Sequence, residues 1–72
     1  MIGRGREHLA QADWHIAAVR KQIARQKEII KGMAQGGHET AEATSLLHAM
    51  ETSLQAFEKH REVILERLKD ME

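Results

Sequence analysis

Ala34-Gln35-Gly36-Gly37-His38 holds the only adjacent glycines in the chain and lies almost at its midpoint. Two neighbouring glycines interrupt a helix, because neither carries the Cβ that disfavours left-handed backbone. Gly36 is expected to take the left-handed conformation that closes a helix, and Gly37 to give the freedom to reverse direction. The sequence on both sides is helix-patterned. It therefore predicts an all-α, antiparallel two-helix hairpin: a helix over about residues 5–34, a turn over 35–38 and a helix over about 39–69, in one domain covering 1–72.

In the N-terminal arm Ile2, Leu9, Ile16, Ile23 and Ile30 recur every seven residues, and Ala12, Val19 and Met33 form a second series three positions later. These are the a and d positions of a heptad repeat, which specify a long amphipathic helix packed against a partner helix. Gln26 occupies a d position, where a polar group serves register rather than ligand binding. Trp14 falls at f, facing away from the seam, with Ala10, Ala17, Ala18 and Lys21 nearby. It either lies flat on that bed of small residues or acts as a contact anchor for a protein partner.

In the C-terminal arm Thr40 is placed to cap a helix, with Glu39 and Glu42 where a helix N-terminus favours negative charge. The seam continues through Ala43, Leu47, Met50, Leu54, Phe57, Ile64, Leu68 and Met71, interrupted by Arg61 at an a position. Folding about the glycines sets residues opposite when their numbers sum to about 73, which pairs Ile30 with Ala43, Ile23 with Met50, Ile16 with Phe57 and Leu9 with Ile64. Arg61 then faces small Ala12, and its stem can cross the seam toward Asp13 or Glu58. Residues 1–35 carry seven basic and three acidic side chains, against four basic and eight acidic in residues 36–72. The plain expectation is a basic helix lying on an acidic one, with Arg20 and Lys27 near Glu51 and Glu58.

Eleven basic and eleven acidic residues cancel, so the whole chain carries no field that would draw it to nucleic acid or to an anionic membrane. The basic residues of the first arm are spread over several faces without interleaved aromatics, which argues against nucleic-acid binding. There is no cysteine and no apolar run near ~18 residues, so neither a disulfide nor a membrane span is expected, and the expected location is the cytoplasm. None of the five histidines has a carboxylate three residues before it, as a di-iron bundle would require. No nucleophile stands beside a base and no glycine-rich phosphate loop follows a strand, so neither enzymatic activity nor a cofactor is expected. One constellation remains. His8 and His15 lie seven apart on one helix face, and hairpin geometry brings His60 close to His15, a set that could bind zinc or nickel. Against it, no two of these histidines are four apart on one helix and no carboxylate stands behind them.

The segments His8-Leu9-Ala10-Gln11-Ala12 and Gln22-Ile23-Ala24-Arg25-Gln26, followed by Gly37-His38-Glu39-Thr40-Ala41-Glu42-Ala43, Leu46-Leu47 and Leu54, resemble small helical-hairpin proteins of rhizobia and related alphaproteobacteria. The resemblance covers nearly the whole chain, and the Gly-His-acidic-Thr turn is its most specific part. It implies a bacterial, cytosolic protein and carries no activity or residue role with it.

Two helices cover only one side of each other, and a chain of 72 residues needs a second layer for stability. One flank of the hairpin, made of c and g positions, reads Leu46, Ala49, Ser53, Ala56, His60 and Val63 on the second helix and His15, Ala18, Gln22 and Ile29 on the first. That flank is expected to be nearly free of formal charge and to pair with a second copy, giving a homodimeric four-helix bundle. His15 and His60 would then lie at the interface, and packing neutral imidazoles makes assembly weaken as pH falls. The expected role is a non-enzymatic structural or protein-interaction module.

Overall fold

The computed structural model describes residues 2–70, with side chains described from Gly5 onward. Helix α1 spans Ile2–Gln35 and helix α2 spans Ala41–Asp70, and the two pack against each other as an antiparallel hairpin measuring 56 × 14 × 11 Å. The predicted hairpin is thus the fold, with α1 longer at both ends than expected and α2 beginning two residues later.

The turn explains the late start. His38 N–H donates to Met33 O at 2.9 Å and Gly37 N–H to Ala34 O at 3.1 Å, the paired bonds of a Schellman helix end. Gly37, at φ 77°, is the left-handed residue, whereas the sequence pointed to Gly36. Gly36 is still held helically, since its N–H donates to Gly32 O at 3.1 Å, so the reversal falls one residue on. His38 and Glu39 then lead to Thr40 at the N-cap position, where its carbonyl accepts the Thr44 N–H at 2.8 Å. Glu42 in the first turn of α2, and Arg67 and Lys69 in its last, sit where the helix dipole favours their charges.

The seam buries Ala12, Ile16, Ile23 and Ile64, with Gln26 among them at 8% exposure. Leu9, Val19, Ile30, Met33, Leu47, Met50, Leu54, Phe57 and Leu68 are half-buried. No described side chain is fully enclosed, as expected of two helices that cover each other along a single stripe. The predicted seam residue Met71 and the side chain of Ile2 lie outside the described residues. Gly5 stands so close to Leu68 that a Cβ there would collide with the leucine side chain. Together with Asp13–Arg61 and His15–Phe57, that contact lies within one residue of the expected register. Gln26 Nε2 reaches one turn along α2 and donates to Ala43 O at 2.9 Å, so the buried amide is satisfied.

Candidate functional site

The hairpin is a ribbon with two broad faces, and their chemistry differs. On the face built from e positions, Arg61 Nε donates to Asp13 Oδ1 and Arg20 meets Glu58 Oε2 at 3.4 Å. Asp13 is one of the two carboxylates toward which the Arg61 stem was expected to reach. Lys27 and Glu51, the other expected pair, form no salt bridge. Leu65, 37% exposed, lies on this same side.

The opposite face, built from c and g positions, carries Leu46 at 50%, Ile29 at 43% and Val63 at 37% exposure. All the other residues expected on this face are exposed except Ala18, which is half-buried. Toward the open end of the hairpin it holds a groove of about 380 Å³ lined by His8, Gln11, His15, Phe57, His60 and Arg67, with the buried Ala12 and Ile64 beneath. The His15 ring stacks on Phe57, with centroids 5.7 Å apart and planes 16° apart. The Trp14 and His15 rings lie 5.2 Å apart with planes at 74°, and Trp14 remains 67% exposed.

His8, His15 and His60 therefore share a groove, but among the described residues no three His, Asp or Glu side chains converge closely enough to hold a metal ion. The physical reason is spacing. Seven residues separate His8 from His15, roughly 10 Å along a helix, whereas ligands on one zinc ion each lie ~2 Å from it. The candidate zinc or nickel set is accordingly not brought together among the described residues. The expectation of a face almost free of charge also needs amending, because Arg67 lines the groove. Its signal was in the sequence: it stands at g, one heptad after His60, and Arg25 likewise falls at c on α1. The groove contains no carboxylate, so its polar lining is made of imidazoles, a guanidinium and one amide.

Among the described residues no helix is long and apolar enough to cross a membrane. Compared with known proteins, the chain matches no family model, no curated protein and no solved structure.

Proposed function

We propose that the chain is a non-catalytic assembly module whose two copies associate through the c and g face into a four-helix bundle. One observation carries this reading: of the five large apolar side chains left exposed among the described residues, three, Ile29, Leu46 and Val63, fall on that face. The other face carries both ion pairs, which suit solvent rather than burial. Trp14 faces away from the seam and leaves a large aromatic for contact with a further protein partner.

Gel filtration of Ala56→Glu beside Gln55→Glu tests the assignment, since Ala56 lies on the proposed interface and Gln55 on the opposite side. The first variant is expected to elute as a monomer and the second like the parent. An Ala56→Glu protein that elutes like the parent would place the interface elsewhere.

A further inference from the structure

The groove toward the open end of the hairpin has a lining made of hydrogen-bond donors over an apolar floor. His8 and Arg67 stand at facing g positions, and His15 and His60 do so one heptad nearer the turn. Each of the four can donate, as can the Gln11 amide between His8 and His15, and all five residues are exposed. Ala12, Phe57 and Ile64 supply the floor. The carboxylates nearest in sequence, Glu7, Glu66 and Asp70, lie outside the lining, and Arg67 takes part in neither ion pair of the described residues. Asp70 stands one turn beyond Arg67 at a c position, so it lowers the local positive potential without pairing with the guanidinium.

We infer that this groove binds a small organic phosphate, a phosphate monoester whose charged end sits on Arg67 and His8 and whose apolar body lies along the floor toward His15 and Phe57. The donor set favours phosphate. A guanidinium offers two parallel N–H groups to two phosphate oxygens, which leaves a third oxygen for an imidazole N–H. A carboxylate presents no third oxygen to His8. Shape favours an apolar body as well. His8 and His15 are roughly 10 Å apart along α1, too far for one phosphate to bridge, and the apolar floor occupies the interval. The near-parallel rings of His15 and Phe57 at its far end suit a flat group. The volume of about 380 Å³ lies within the ~300–1,000 Å³ of small-molecule sites, which combine apolar walls with a few placed polar groups. This inference goes beyond the assembly reading, and every residue it uses belongs to a single hairpin.

Phenyl phosphate is the probe, with inorganic phosphate and phenol as its two halves, at constant ionic strength and about pH 7, where a phosphate monoester carries ~1.5 to 2 negative charges. Imidazole resonances followed by NMR contain their own control, because His38 and His48 lie outside the groove. Saturable shifts at His8, His15 and His60, with His38 and His48 unmoved, are the expected result. Phenyl phosphate should bind at least several-fold more tightly than inorganic phosphate, and phenol should not saturate. Arg67→Gln should weaken binding about tenfold or more, and Asp70→Asn should tighten it about two- to threefold. Equal shifts at all five histidines, or an Arg67→Gln protein that binds like the parent, would overturn the site. Inorganic phosphate that binds as tightly as phenyl phosphate would remove the apolar body from the ligand. Sedimentation of the same samples keeps the two readings apart. A dimer that binds no phenyl phosphate overturns the site alone, and a monomer that binds it overturns the assembly alone.

Discussion

Gly37 and Gln26 show how much a single residue decides here. Gly37 sits at φ 77° with open space around it, so a methyl group would meet no neighbour, yet a side chain resists left-handed backbone. Gly37→Ala is expected to cost about 1–2 kcal/mol in urea unfolding. Gly32→Ala, in the helix interior with equally open space, should gain roughly 0.5–1 kcal/mol. Equal effects of the two would mean that the turn does not depend on φ. The glycine pair was legible in the sequence, but the order of roles within it was not. Either glycine can go left-handed, and the choice follows from which N–H still finds a helical acceptor. Gln26 is buried and donates to Ala43 O. Replacing it with Leu removes both the polar group and its bond, so the change in stability should stay within about 1 kcal/mol, while register loosens.

Along the helices, the regular part of the sequence was readable because burial follows the heptad. The described a and d residues form the seam, and Ile16, Ile23 and Ile64 are buried where the pairing put them. Ile23→Ala should therefore destabilise by at least about 2 kcal/mol at any protein concentration. Glu58→Gln, which breaks an ion pair whose side chains are 62% and 45% exposed, should cost less than about 1 kcal/mol. Chemical denaturation of both variants checks the contrast; a Glu58→Gln loss as large as that of Ile23→Ala would contradict it. What lay beyond periodicity was less readable. The stack of His15 on Phe57 depends on which rotamer side chains choose over a half-covered surface, and heptad positions do not specify that. Trp14, 67% exposed in the single hairpin, should emit near the wavelength of solvated indole and be quenched readily by acrylamide. A strongly blue-shifted, protected emission would show that a partner covers it.

At the scale of the whole molecule, a hairpin with four buried apolar residues and none fully enclosed among the described residues has a thin core, and a second layer is its route to stability. Assembly then makes the melting temperature rise with protein concentration. The most direct measurement is sedimentation equilibrium of the unaltered chain at about pH 8. The expected particle has twice the chain mass of 8.2 kDa, whereas a single species of 8.2 kDa at every concentration would contradict the assembly module.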